Sequence, residues 1–174
     1  MTICRIPGLR VASSSARRTR ELAARIQPLL VPGDVILLGG ELGAGKTTFT
    51  QGLARAMGVL ESVTSPTFTL IRSYDAATPA RLLHADVYRL EHLQEVLDLG
   101  LPELLDDGAV AVIEWGDVAA PVLRPDYLEI RFDFGSGDDE RFLALSAAGP
   151  RWAARLPALR RLLSATGGSA GAIP

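Results

Sequence analysis

Asparagine is missing from this chain, lysine occurs once, at position 46, and cysteine once, at position 4. A single cysteine excludes an internal disulfide and points to a reducing compartment, with Cys4 read as a small half-buried residue in an N-terminal strand. No apolar run approaches the ~20 residues that a spanning helix requires. The N-terminus has no signal-peptide core, so a cytoplasmic protein is expected. Strong charge of either sign is also lacking. The formal net charge is -2 and the pI is about 5.7, which excludes a global field drawing the chain to nucleic acid or to an anionic membrane. The other 17 of the 18 basic residues are arginine, so the lone Lys46 stands where an ammonium is needed and a guanidinium will not serve.

What is present is ordinary for a globular protein: 48% hydrophobic and 22% charged residues over 174 positions. That length suits one domain, taken as residues 1–164, followed by a disordered tail over 165–174. The patterning predicts a short strand within Thr2 to Val11 and then a helix capped by Ser13 to Ser15. That helix runs to about Leu30, with Leu22, Ile26 and Leu29 on one face. Pro32-Gly33 makes a turn into a buried strand, Val35 to Leu38. A second helix places Phe49, Leu53, Ala56 and Met57 on one face and stops at Gly58. Strands follow at Thr67 to Tyr74, Arg81 to Asp86 and Ala109 to Ile113, with an interrupted helix from Leu93 to Leu105. A hairpin of Tyr127 to Phe134 and Phe142 to Ala147 and a basic helix from Trp152 to Leu163 complete the chain. Alternating strands and helices predict an α/β fold: a P-loop NTPase-type three-layer arrangement, its mixed sheet sandwiched by helices and carrying a late antiparallel hairpin.

The stretch Gly40-Glu41-Leu42-Gly43-Ala44-Gly45-Lys46-Thr47 fits G-x-x-x-x-G-K-[ST] between a buried strand and an amphipathic helix. Its three glycines let the backbone curl so that N–H groups converge on phosphate oxygens. The helix that begins near Lys46 points its positive dipole end at the same anion. Lys46 is read as reaching the β- and γ-phosphates and Thr47 as a Mg²⁺ ligand, which makes ATP and Mg²⁺ the expected cofactors.

Ligands of open α/β sheets bind beyond the carboxyl ends of the strands. Glu114 ends AVAVIE there, and Asp86 ends RLLHAD. One acid is expected to hold Mg²⁺, directly or through water, and the other to orient or deprotonate the attacking water. A strand-end residue that only caps a turn is the plainer alternative, and it weighs more for Asp86. His84, two residues before Asp86, reads either as a satisfied buried histidine or as catalytic; His92 reads as surface. Ser65-Pro66-Thr67 reads equally as a turn or as a switch in which the threonine senses the γ-phosphate.

In their order and spacing, GELGAGKTTFTQGLA, SPTFTLIRSY, HADVYRL and VIEWGD resemble the TsaE family, over roughly Ser13 to Leu145. Those proteins are small P-loop ATPases of bacterial threonylcarbamoyladenosine biosynthesis on tRNA. The resemblance implies an accessory ATPase that works with the TsaB–TsaD complex. It implies Lys46, Thr47 and Thr48 as nucleotide and Mg²⁺ contacts, Glu114 as a Mg²⁺ ligand and Asp86 as the acid of hydrolysis. Tyr88, Arg89 and Trp115 match family motif positions. The adenine is implied near Ser15 to Thr19 and Gly135 to Asp138. The last helix and the tail inherit nothing.

A small-molecule kinase shares the loop and is the alternative function. A GTPase is excluded, since its Asn-Lys-x-Asp element needs residues that this chain lacks. A scaffold with a vestigial loop is disfavoured by the pair Thr47 and Glu114. The arginines of the first and last helices read as two solvated faces, so tRNA is expected to be met only through the partner complex. They form one basic stripe only if the fold sets those helices side by side.

Overall fold

The computed structural model describes residues 5–66, 70–77, 81–88, 93–98, 100–116, 120, 123 and 126–164. The strands are β1 (Arg5–Ser13), β2 (Val35–Gly40), β3 (Ile71–Asp75), β4 (Arg81–Asp86), β5 (Val110–Glu114), β6 (Tyr127–Phe134) and β7 (Arg141–Ala148). The helices are α1 (Ala16–Ile26), α2 (Lys46–Ala56), α3 (Leu93–Asp98), α4 (Leu101–Asp106) and α5 (Pro150–Ser164). Cys4, Thr67, Arg89, His92 and the tail over 165–174 lie outside the described residues.

The seven strands form one sheet in the order β1-β7-β6-β2-β5-β4-β3. β6, β2, β5 and β4 run parallel, while β7, β1 and β3 add antiparallel edges. The apolar runs of β2 and β5 suit the centre, where a strand is covered on both faces. Successive residues of β2 divide between two cores. Ile36 and Leu38 pack with Leu22, Phe49, Leu53 and Trp152, under α1, α2 and α5. Val35 and Leu37 pack with Leu83, Ile113 and Leu101, on the side of α4. The expected three layers and the late hairpin are both present.

Local differences have local causes. Ser15 alone caps α1: its hydroxyl accepts from the Arg18 N–H at 3.1 Å, which leaves Ser13 as the last residue of β1. Pro28 interrupts the helical ladder, so α1 ends at Ile26 and Gln27–Leu29 tightens into a 3-10 turn. Ala56 is exposed, and Ala54 takes the buried position on α2, because α2 ends there and the chain turns at Met57-Gly58. Gly100, at φ +66, divides α3 from α4. No helix among the described residues is long and apolar enough to cross a membrane.

Candidate active site

β2 delivers the chain into the glycine loop at the carboxyl end of the sheet. Gly40 has φ +128, and a Cβ there would lie 2.6 Å from the Phe132 carbonyl oxygen, so no other residue fits. Gly45, at φ +107, precedes α2 and gives that helix no side-chain cap, which leaves its first N–H groups turned to the loop interior. Ala44 is fully buried, whereas Glu41 and Leu42 point their side chains to solvent and contribute backbone only.

Lys46 is 4% exposed, and its ammonium donates to the carbonyls of Gly40 at 2.7 Å and Glu41 at 2.9 Å. It also lies 4.1 Å from the centre of the Trp115 ring. Burial lowers its pKa below the usual lysine value, an effect opposed by the nearby carboxylates of Glu114 and Asp86. Trp115 has φ +61, an uncommon conformation for a bulky residue and one that stores backbone strain at this spot. Its ring also meets that of Tyr88, at 4.7 Å between centroids.

β4 and β5 are neighbours in register, with Asp86 opposite Glu114. Glu114 Oε1 accepts from the Thr47 hydroxyl at 2.8 Å and from His84 Nε2 at 2.8 Å. His84 is fully buried, and its Nδ1 has no partner among the described residues. Asp86 is held at both oxygens, by the Tyr88 N–H at 3.1 Å and by the Ser65 hydroxyl at 2.9 Å. Ser65, Trp115 and the His84–Glu114 bond are parts of the site to which the sequence reading assigned no function. His84 carries a signal in the sequence, standing two residues before a strand-end acid, whereas Ser65, 21 residues before Asp86, carries none.

Lys46, Thr47, Ser65, Asp86, Glu114 and Trp115 line one cavity of about 450 Å³ that includes Gly43, Thr48 and Tyr88. A smaller cavity of about 190 Å³ adjoins it across Gly43, Gly45 and Thr48, lined by Ser15 and Thr19 of α1. The hairpin contributes Asp139 and Arg141 to that second cavity, not residues 135–138. The reason is local: the Glu140 carboxylate accepts from the N–H of Ser136 at 2.9 Å and from its hydroxyl at 3.0 Å, so the turn closes on itself.

A dry cation beside a cradle of N–H groups suits a bound polyphosphate. The facing oxygens, Thr47, Glu114 and Asp86, suit a hard divalent cation. No cluster of three or more histidine, cysteine or acidic side chains fit to hold a metal alone occurs among the described residues. The donor set therefore fits Mg²⁺ that arrives with phosphate and keeps some of its waters.

The family model described as "Threonylcarbamoyl adenosine biosynthesis protein TsaE" matches residues 13–142. A tRNA threonylcarbamoyladenosine biosynthesis protein TsaE of Streptomyces coelicolor is 45% identical over 139 residues, 77% of this chain and 93% of that protein. The protein of the same name from Bacillus subtilis is 42% identical over 135 residues, 77% of this chain and 82% of its own length. Among solved structures, the crystal structure of Bacillus subtilis YdiB superposes with a TM-score of 0.73 at 31% identity, covering 92% of this chain and 97% of that one.

Proposed function

This chain belongs to the TsaE family, and on that premise we propose that it is a Mg²⁺-dependent ATPase of tRNA threonylcarbamoyladenosine formation. It acts in the cytoplasm with the TsaB–TsaD complex and hydrolyses ATP weakly when alone. The observation that supports this reading is the dry Lys46 ammonium between the glycine loop and two register-paired carboxylates.

The loop N–H groups and the uncapped start of α2 bind the β- and γ-phosphates, and Lys46 adds its charge to theirs. To do so it leaves the carbonyls of Gly40 and Glu41 for the phosphate oxygens. Thr47 and Glu114 hold Mg²⁺, which when bound neutralises phosphate charge. Asp86, fixed by Ser65 and the Tyr88 N–H, orients the attacking water and accepts its proton. The water oxygen bonds to the γ-phosphorus as the bond from phosphorus to the β,γ-bridging oxygen breaks, giving ADP and inorganic phosphate. His84 fixes the Glu114 carboxylate from below without touching the reacting atoms. The adenine occupies the smaller cavity between α1 and the hairpin.

The deciding experiment is Mg²⁺-dependent ATP hydrolysis measured with and without the TsaB–TsaD pair. Hydrolysis that rises when the pair is added, and disappears without Mg²⁺, is expected. A rate unchanged by both additions overturns the reading.

A further inference from the structure

The charges of the helices separate by layer. α1 carries Arg17, Arg18, Arg20 and Arg25, and α5 carries Arg151, Arg155, Arg160 and Arg161; Glu21 is the one acid on the two helices. Across the sheet, α3 and α4 carry Glu95, Asp98, Glu103 and Asp106 and no cation. The net charge of -2 thus conceals two faces of opposite sign.

One basic stripe requires α1 and α5 to lie together, and the fold meets that condition. The Arg25 guanidinium donates to the Leu162 carbonyl at 3.1 Å, and Arg160 donates to the Gly8 carbonyl of β1 at 3.0 Å. Arg155 is turned inward to the buried Asp34, at 2.6 and 2.8 Å. Arg17, Arg20, Arg151, Arg160 and Arg161 are exposed in this layer, with Arg17 paired to Glu21 at 2.6 Å and Arg151 standing 3.7 Å from Asp34. The stripe begins beside the nucleotide cavities, since Ser15, the cap of α1, lines one of them.

We infer that the α1–α5 face binds the phosphate backbone of the tRNA itself, so that the contact is direct. This rests on the family's place in tRNA modification and extends it to a surface of which α1 lies within the residues that match the family and α5 beyond them. The spread of the charges favours a nucleic acid over an acidic protein. Arg151 and Arg161 stand ten residues apart on α5, about 15 Å along its axis. That distance spans several phosphates of a duplex strand at ~3.4 Å each. A stripe of cations along one face is the electrostatic footprint of such a partner, and it acts locally whatever the net charge.

The test is an anisotropy titration of labelled, unmodified tRNA transcript with the full chain at two salt concentrations. Four phosphate contacts predict a loss of about 100-fold in affinity between about 50 and 200 mM salt. The double variant Arg17→Glu/Arg161→Glu touches neither cavity. It should weaken binding by at least ~10-fold and flatten the log–log salt slope by about two. Arg81→Glu, exposed on β4, serves as the control and should change nothing. Absence of binding at the lower salt, or a double variant equal to wild type, overturns the inference. So does a double variant that keeps tRNA but loses capture by TsaB–TsaD in the absence of RNA, since the face would then be a protein dock. ATP hydrolysis on the same samples separates the two readings: tRNA binding without partner-stimulated hydrolysis fails the ATPase and leaves this surface standing.

Discussion

Lys46 is held by shape as much as by charge. Its ammonium fits between two carbonyls at 2.7 and 2.9 Å and beside the Trp115 ring, on the wall of the larger cavity. A guanidinium is planar and broad, and in this space it either displaces Trp115 or withdraws from the loop. Lys46→Arg is therefore expected to lower the hydrolysis rate by ~100-fold or more, the scale seen when one preorganised electrostatic group is lost. Calorimetry with ADP and a phosphate-release assay check it, and wild-type affinity and turnover would refute the shape argument. Lys46, Thr47, Asp86 and Glu114 were all legible in the sequence because each belongs to a contiguous motif. Ser65 on Asp86 and His84 on Glu114 were not assigned, since those bonds join residues 21 and 30 positions apart. Strand register brings His84 beside Glu114, and the loop that follows α2 brings Ser65 to Asp86.

Among the elements, α5 keeps the solvated basic face of its reading at Arg151, Arg160 and Arg161 but turns Arg155 inward. Arg155 makes a paired contact with Asp34, whose side chain is 1% exposed, and stacks its guanidinium 3.9 Å over the Trp152 ring. Asp126 caps the start of the helix by accepting from the N–H groups of Arg151 and Trp152, each at 3.1 Å. Asp34 also accepts the Val31 N–H at 2.9 Å, so one buried carboxylate ties α5 to the turn that launches β2. Removing it leaves Arg155 facing a dry pocket, which typically costs about 3–5 kcal/mol. Asp34→Ala should lower Tm by roughly 10 °C in a thermal melt. Arg155→Leu added to it should recover part of the loss, and a single variant that melts like wild type would remove Asp34 from this role. Helical spacing displayed the arginines of α5 but gave no sign of which one turns inward. The partner lies 121 residues away, and only the packing of α5 against the first strand and the 3-10 turn selects it.

For the whole molecule, binary patterning was enough to reveal the layers: buried runs for β2 and β5, amphipathic helices between them, and a hairpin at the end. Pattern alone left open the order of the strands, and with it the facts that β1 pairs with β7 and that β4 lies beside β5. The second of these pairings has a metrological consequence. Parallel neighbours advance by the same rise per residue, so the backbones under Asp86 and Glu114 stand one interstrand spacing apart, about 4.8 Å. No rotamer or loop movement alters that interval, which makes the sheet a length standard for the chemistry. The one adjustable length is the methylene that distinguishes aspartate from glutamate. Exchanging the two acids in the double variant Asp86→Glu/Glu114→Asp keeps every charge and hydrogen-bonding group yet moves each carboxylate by one carbon along its own stalk. Nucleotide affinity should stay within about 10-fold of wild type while turnover falls by ~100-fold or more, because misplacing a positioning group by about 1 Å is felt in the rate. Turnover equal to wild type would mean that the site tolerates a change of gauge, and that the interval written into the sheet is not what times the reaction.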